Sequence, residues 1–183
     1  MEVFFPKDRN EWRKWLAGNH NKVPSVWIGY YKIKSGIPSI LYDEAVEEAL
    51  CFGWIDSKAV SIDEKSYKQY FTKRKPDSVW SRVNKEKIIK LIQNGLMTQA
   101  GLECIEAAKR NGSWTQLDDV ENLVLPVGLI KEFEKEPEAY QYFQSLPRSK
   151  KRNLLQLIAL AKLPVTKTKR IKETVLKAKQ RLL

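Results

Sequence analysis

Two strand-like segments separated by four polar residues constrain the fold more than any other feature of this chain. Residues 54–62 and 67–73 are rich in aromatic and β-branched side chains, and residues 63–66 (Asp-Glu-Lys-Ser) suit a hairpin connection. Strands joined by so short a turn pair antiparallel. The sheet is therefore predicted to be mixed or antiparallel.

Strand and helix patterns alternate before this hairpin. A short strand is predicted at residues 3–5, and Asp8 and Glu11 have the spacing of a capping box that opens a helix ending at Gly18. A second strand is predicted at 26–31 and a second helix at 42–52. The resulting order, β-α-β-α-β-β, predicts an α+β fold.

After residue 84 the pattern becomes helical. Residues 113–126 form an acidic connector in which Trp114 is the predicted anchor, and the last two helices are predicted at 149–161 and 168–182. We divide the chain into three parts. They are an α+β module with a predicted pocket (1–112), an acidic connector with a short helix (113–140) and a basic helical segment (141–183).

The net charge of +11 is unevenly distributed. Residues 141–183 carry 12 basic and 1 acidic side chains, whereas residues 113–140 carry 2 basic and 7 acidic ones. An asymmetry of this kind favours an anionic partner.

The histidine and cysteine content argues against a metal site. His20 is the only histidine, and the two cysteines, Cys51 and Cys104, are far apart in the sequence. No phosphate-binding glycine motif is present, so no cofactor is predicted. No apolar run approaches the ~20 residues of a membrane span, and the N-terminus does not resemble a signal peptide. Two thiols on separate predicted helices suggest a reducing compartment, and we expect a cytoplasmic protein.

Two long motifs carry a family resemblance. They are residues 44–56 (EAVEEALCFGWID) and residues 74–84 (RKPDSVWSRVN), and the segment 157–175 adds to them. Together they resemble the YdeI / OmpD-associated family of bacteriocin-protection proteins over nearly the whole chain. The resemblance implies a bacterial role in stress or bacteriocin tolerance, and it brings no established reaction or catalytic residue.

The motifs also predict a small-ligand pocket. Trp54, Asp56 and Lys58 are expected on one strand face, because side chains alternate along a strand. Arg74 follows the next strand, and a helix begins near Asn84, where free amide groups suit an anion. The predicted ligand-binding residues are Tyr42, Glu44, Trp54, Asp56, Arg74, Trp80, Ser81 and Asn84. The alternative is structural: both tryptophans lie in the core, Asp56 pairs with Arg74, and Ser81 or Asn84 caps the helix.

The basic C-terminal segment supports a second hypothesis. Ile171, Val175, Ala178 and Leu182 form one helical stripe, and basic residues occupy much of the remaining surface. Such helices can contact phosphates nonspecifically. The predicted nucleic-acid contacts are Lys150, Lys151, Arg152, Lys169, Arg170 and Lys172.

We therefore expect a non-catalytic stress or bacteriocin-tolerance protein that binds a small anionic ligand or a protein partner. Nonspecific nucleic-acid binding is the alternative. A third hypothesis is an enzyme that uses Cys51 or Asp56. A cysteine on the apolar face of a helix is, however, more often a core residue than a nucleophile.

Overall fold

The computed structural model of the protein describes residues 2–183 and divides them into two compact units. The first unit ends at Trp114, and the second is Thr115–Leu183. The separate status of the acidic connector, residues 113–140, stays a prediction.

The first unit contains a mixed four-stranded sheet. β1 pairs parallel with β2, β4 pairs antiparallel with both β2 and β3, and the spatial order is β1-β2-β4-β3. The predicted α+β class and the predicted hairpin are confirmed. The strands are β1 Val3–Phe4, β2 Ser25–Tyr31, β3 Trp54–Ser61 and β4 Ser66–Lys73. The helices are α1 Arg9–Asn19, α2 Tyr42–Cys51, α3 Arg82–Gln93 and α4 Gln99–Arg110.

Helix α1 begins at the predicted capping box. The Asp8 carboxylate accepts a hydrogen bond from the Glu11 amide at 2.9 Å, and the Glu11 carboxylate accepts one from the amide of Lys7 at 2.7 Å. The second bond therefore goes one residue earlier than the motif predicts. The helix continues through Gly18 to Asn19. Its end was thus predicted one residue too early.

The core of the first unit lies between α1, α2 and one face of the sheet. Trp12, Leu16, Trp54 and Phe71 are fully buried there. The Trp12 ring meets the Phe71 ring edge-on at 5.5 Å, and its indole N–H donates to the carbonyl of Ala45 at 3.0 Å. Burial of these four large side chains removes most of their surface from water and stabilises the unit.

Helix α4 approaches the end of α2 at a glycine. Thr98, the N-cap of α4, donates from its hydroxyl (2.6 Å) and its amide (3.1 Å) to the carbonyl of Cys51. A Cβ atom at Gly101 would lie 2.3 Å from that same carbonyl oxygen. The two helix ends can therefore meet only because residue 101 has no side chain.

A β-bulge in β3 separates residues that were predicted to share a face. The pairing with β4 shifts between Asp56 and Ala59. Asp56 pairs with Phe71 on the face that packs against α1, whereas the Lys58 ammonium lies 5.9 Å from the ring of Tyr70, which points to the opposite face. The prediction that Trp54, Asp56 and Lys58 share a face was therefore wrong for Lys58. The extra residue of the bulge inverts the alternation.

The second unit is helical. Phe133 and Phe143 pack ring to ring at 5.1 Å in its core, together with Leu155 and Ile158. Among residues 2–183, no helix is both long and apolar enough to cross a membrane. The helices are α5 Asp118–Glu121, α6 Val127–Glu134, α7 Pro137–Ser145, α8 Arg148–Ala159 and α9 Pro164–Lys179.

Helix α9 differs from its prediction at both ends. It begins at Pro164, four residues before the predicted start, because proline is well suited to the first helical position. Ile171, Val175 and Ala178 are buried as predicted. Leu182 lies beyond the helix end and is 69% exposed, so it does not belong to the stripe.

Candidate functional site

A cleft of about 230 Å³ opens in the first unit where β4 ends beside α4. Its walls come from the turn after α2, the residues that follow β4, and one face of α4. The side chains most relevant to binding chemistry are Asn21, Lys73, Arg74, Glu103 and Cys104.

Arg74 is the most unusual of these residues. Its amide donates to the carbonyl of Gly53 at 2.9 Å, which places the side chain directly after β4. The guanidinium carbon lies 3.7 Å from the centre of the Trp80 ring, and Nη2 donates to the carbonyl of Val79. The residue is only 7% exposed. A cation stacked so closely on an indole ring gains from its π electrons.

Two nitrogens of Arg74 are left without a partner. Nε and Nη1 are both shielded from water and donate to no carboxylate, carbonyl or hydroxyl among residues 2–183. The predicted alternative of an Asp56–Arg74 salt bridge is therefore not formed within the described residues. Buried donors without acceptors are costly, more so when they carry a charge.

The electrostatics of the cleft follow from this arrangement. Burial lowers the pKa of Arg74 to about 10, although the charges of Cys104 and Asp56 oppose the shift. The guanidinium therefore remains protonated at neutral pH. Burial raises the pKa of the Cys104 thiol, while Arg74 and Lys73 act in the opposite direction. The cleft thus holds a desolvated positive charge beside a thiol.

Trp80, the ring on which Arg74 stacks, packs in turn against Trp114. Their ring centres are 5.0 Å apart, and Trp80 is 1% exposed. Trp114, the predicted anchor of the acidic connector, thus packs within the first unit. The indole N–H of Trp80 has no acceptor among the described residues, which adds a further unsatisfied donor next to the arginine.

Asp56 belongs to a second polar cluster on the helix-covered face of the sheet. Its Oδ2 accepts from the Tyr42 hydroxyl at 2.9 Å and from the Gln69 amide group at 2.8 Å. Burial is the largest cause that raises the pKa of Tyr42, and the hydrogen bond to Asp56 adds to it. The carboxylate is therefore already satisfied by neutral donors.

The predicted ligand-binding residues thus separate into groups. Tyr42 and Asp56 are joined by a hydrogen bond, and Arg74 and Trp80 by stacking, but no direct hydrogen bond or ion pair among the described residues links the two pairs. Asp56 acts on Arg74 only as a nearby negative charge, which raises the pKa of the guanidinium. Their prediction as one ligand site stays untested.

The other predicted ligand residues have structural contacts. Glu44 accepts from the Leu41 amide at 3.1 Å and thereby caps α2, and Trp54 is a core residue whose indole donates to the carbonyl of His20 at 3.3 Å. Ser81 is the N-cap of α3 and accepts from the amide of Asn84 at 3.3 Å. Asn84 lies half-buried in the first turn.

Sequence patterns missed Gln69 and Cys104. Gln69 is a buried polar residue in a strand that otherwise reads as aromatic and basic, and its position one strand over from Asp56 could have identified it. Cys104 was noted only for its redox state, because nothing in the sequence places α4 beside residue 74.

Five of the six predicted nucleic-acid residues contact other groups of the second unit. Arg152 binds Glu121 at 2.6 Å, and Lys150 and Lys151 donate to main-chain carbonyls of Leu183 and Gln144. Lys169 lies 3.9 Å from Glu173, Arg170 donates to the Leu157 carbonyl, and Lys172 is exposed. Their role in nucleic-acid binding stays a prediction.

Cys51 lies in the core rather than in a cleft. It is fully buried, and burial raises its pKa to about 11, so the thiol is protonated at neutral pH. As regards metals, residues 2–183 contain no group of three or more His, Cys, Asp or Glu side chains that could hold an ion.

Two family models match separate parts of the chain. Residues 4–104 match the family described as "Domain of unknown function (DUF8412)". Residues 122–181 match the family described as "Bacteriocin-protection, YdeI or OmpD-Associated". No curated protein and no solved structure matches the chain.

The predicted family resemblance is therefore confirmed in part. It holds for a segment of the second unit, whereas the motifs at residues 44–56 and 74–84 fall within the other match. The expectation that one family covers nearly the whole chain was too broad.

Proposed function

The chain belongs to the family described as "Domain of unknown function (DUF8412)", and because that description assigns no activity, we propose from the geometry of its first unit that the protein binds a small oxyanion. The carboxylate and phosphate groups of small metabolites share the required chemistry. The match of residues 122–181 supports the proposal of a further role in bacteriocin protection. Free thiols at Cys51 and Cys104 support the proposal of a cytoplasmic protein.

The observation that carries the proposal is the unpaired guanidinium of Arg74. A buried arginine normally has a carboxylate or several carbonyls around it. Here one carbonyl and one aromatic ring are its partners among the described residues, and the side chain lines a cleft. Once the cleft opens enough to expose Nε and Nη1, an oxyanion would supply both charge and acceptors, because guanidinium geometry matches carboxylate and phosphate groups.

Thermal unfolding followed by tryptophan fluorescence gives the direct test. All six tryptophans precede Thr115, so the signal reports on the first unit. An oxyanion present at about ten times its Kd stabilises by ~1.4 kcal/mol. For a unit of this size that raises Tm by about 5 °C. We expect phosphate or acetate to produce such a rise at constant ionic strength, with chloride as the reference salt.

Substitutions decide whether Arg74 is responsible. Arg74→Met should abolish the rise in Tm, whereas Lys75→Met, which removes the same charge from an exposed neighbour, should retain it. An equal rise in both variants, or no rise with either anion in the wild type, would contradict the proposal.

The Arg74→Met variant should be more stable than the wild type when no anion is added. The lowered pKa of Arg74 corresponds to about 3 kcal/mol of destabilisation at neutral pH, and loss of the stacking contact and the hydrogen bond offsets ~2 kcal/mol of it. Arg74→Met is therefore expected to raise the free energy of unfolding by about 1 kcal/mol. Urea unfolding at pH 7, followed by fluorescence, measures this gain.

The sign of the pH dependence follows from the lowered pKa. Below pH 10 the buried Arg74 guanidinium is charged and destabilises the folded wild type to the full extent. Above pH 10 this destabilisation decreases, because Arg74 loses its proton in the folded state before it does so in the unfolded state. The stability difference between variant and wild type should shrink as pH rises above about 10. A variant that is less stable than the wild type at pH 7 would show that Arg74 is a structural residue.

A further inference from the structure

The face of the sheet opposite α1 and α2 carries aromatic and basic side chains. Trp27 and Tyr70 lie side by side on β2 and β4 with ring centres 4.8 Å apart. The ammonium groups of Lys68 and Lys58 lie 4.8 and 5.4 Å from the Trp27 ring. We refer to these four residues, with Phe5 and Tyr31, as the aromatic sheet face.

A second aromatic pair extends this surface. The rings of Phe5 and Tyr31 stack at 5.1 Å, and Phe5 lies directly over Gly29, where a Cβ atom would come within 2.2 Å of its ring. Gly29 is two residues from Trp27 on the same strand, so both pairs lie on one face. The four rings are each only partly buried.

The charge of the aromatic sheet face has one sign. Among the strand residues, all of which the structure describes, Asp56 is the single acidic one, and it lies on the opposite face bound to Tyr42 and Gln69. Lys58 and Lys68 therefore have no carboxylate from any strand beside them. A surface of partly exposed rings flanked by two lysines, with no acidic strand residue on the same face, complements a ligand with flat rings and negative charges.

We propose that the aromatic sheet face binds single-stranded nucleic acid. Bases would stack on Trp27 and Tyr70, and Lys58 and Lys68 would contact the adjacent phosphates. Stacking on aromatic side chains combined with a basic surface is the general mode by which proteins bind single strands with little sequence preference. A duplex keeps its bases stacked within the helix and offers no ring to such a surface. This proposal is independent of the cleft at Arg74.

Lys58 and Lys68 have flexible side chains, so their ammonium groups can leave the Trp27 ring when a base stacks on it. In the structure their ammonium groups lie over the Trp27 ring, a contact that is weak at an exposed site. A base that stacks on the indole gains more, and the displaced ammonium groups then reach phosphates. Tyr70 is held more firmly, since its hydroxyl donates to the hydroxyl of Ser25 at 2.7 Å. One ring of the pair is thus pre-organised.

Fluorescence anisotropy with the full chain tests the proposal. The probes are a labelled oligothymidylate of about 20 nucleotides and a duplex of the same length, at ~50 and ~200 mM salt. We expect the single strand to bind at least ~10-fold more tightly than the duplex, with an affinity that falls as salt rises. Lys58→Ala combined with Lys68→Ala should weaken binding about 10-fold.

Two further variants separate stacking from charge and from folding. Trp27→Leu should weaken binding about 10-fold, whereas Trp27→Phe, which keeps a ring, should stay within ~3-fold of the wild type. The thermal unfolding of every variant, followed by tryptophan fluorescence, identifies any that fails to fold. Trp27→Phe keeps the proposal testable if Trp27→Leu unfolds.

The matched charge control lies in the second unit. Lys169→Ala with Lys172→Ala removes the same charge from exposed positions of α9 and should leave affinity within ~2-fold. Loss of binding in this control but not in the Lys58/Lys68 variant would overturn the proposal in favour of the basic helices. Equal affinity for duplex and single strand would also overturn it. So would binding to phosphatidylserine vesicles without any binding to the oligonucleotide.

Discussion

Replacing Arg9 and Arg13 together with methionine is expected to lower the free energy of unfolding of the first unit by about 3 kcal/mol. Both arginines are on α1 and both bind Glu48 on α2, whose side chain is 2% exposed. Arg13 contacts the Glu48 carboxylate at 2.6 Å and also donates to the carbonyl of Leu96 at 2.8 Å. Without these partners a charged carboxylate would remain buried between two helices.

The single variants should be much milder. Either arginine alone still compensates Glu48, and each is about one-third exposed, so part of its charge is already solvated. We expect each single substitution to lower the free energy of unfolding by ~1 kcal/mol. Adding Glu48→Met to the double variant should recover most of the loss, because a buried ion pair can be replaced by apolar side chains at little cost.

Urea unfolding followed by tryptophan fluorescence measures these differences in the first unit. Lys14→Met with Lys22→Met removes the same charge from exposed positions and should change stability by less than ~0.5 kcal/mol. If the arginine double variant lost no more than this control, the ion pairs would contribute nothing to stability. Failure of Glu48→Met to restore the loss would show that the side chains act through packing instead.

Gly101→Ala is the second substitution with a large expected effect. The added methyl group would meet the carbonyl oxygen of Cys51 at 2.3 Å, far inside van der Waals contact. Because the neighbouring group is main chain, α4 must move and the hydrogen bonds of Thr98 to that carbonyl lengthen. We expect a loss of about 2 kcal/mol, typical of overpacking at a tight site.

A glycine elsewhere provides the control. A Cβ atom at Gly18 in α1 meets nothing within 4 Å, so Gly18→Ala should leave stability unchanged or raise it by up to ~1 kcal/mol. The two variants make the same chemical change within helices. Equal effects in both would mean that α4 can shift away from α2 without cost. The urea midpoint of tryptophan fluorescence distinguishes these cases.

Element types in the first unit were predictable because local signals agreed with one another. The hairpin turn, the alternation before it and the Asp8 cap each select one local structure, and all are present in the fold. The start of α9 was missed because no capping side chain precedes it, and Pro164 itself is the signal. A bulge has no comparable signature, so the face of Lys58 could not be assigned from alternation alone.

The candidate site was predictable only in composition. Arg74 and Trp80 were selected from a dense motif, and their stacking depends on the five residues between them, which turn the chain back after β4. Cys104 enters the cleft from a helix that starts 25 residues after Arg74 in the sequence, with Gln99. Contacts of this range depend on tertiary packing, which a single sequence does not encode in any local pattern. That Nε and Nη1 of Arg74 lack acceptors could therefore not be predicted from the sequence.

The bulge in β3 determines which face of the sheet carries the Lys58 side chain. If β3 continued its regular pairing beyond Asp56, Ser57 would lie opposite Tyr70 and Lys58 opposite Gln69, so Lys58 would turn inward, toward the carboxylate of Asp56. The opposite surface would lose its cation, and the interior would gain one. A single inserted residue thus lets one strand present an acid to the interior and a base to the solvent.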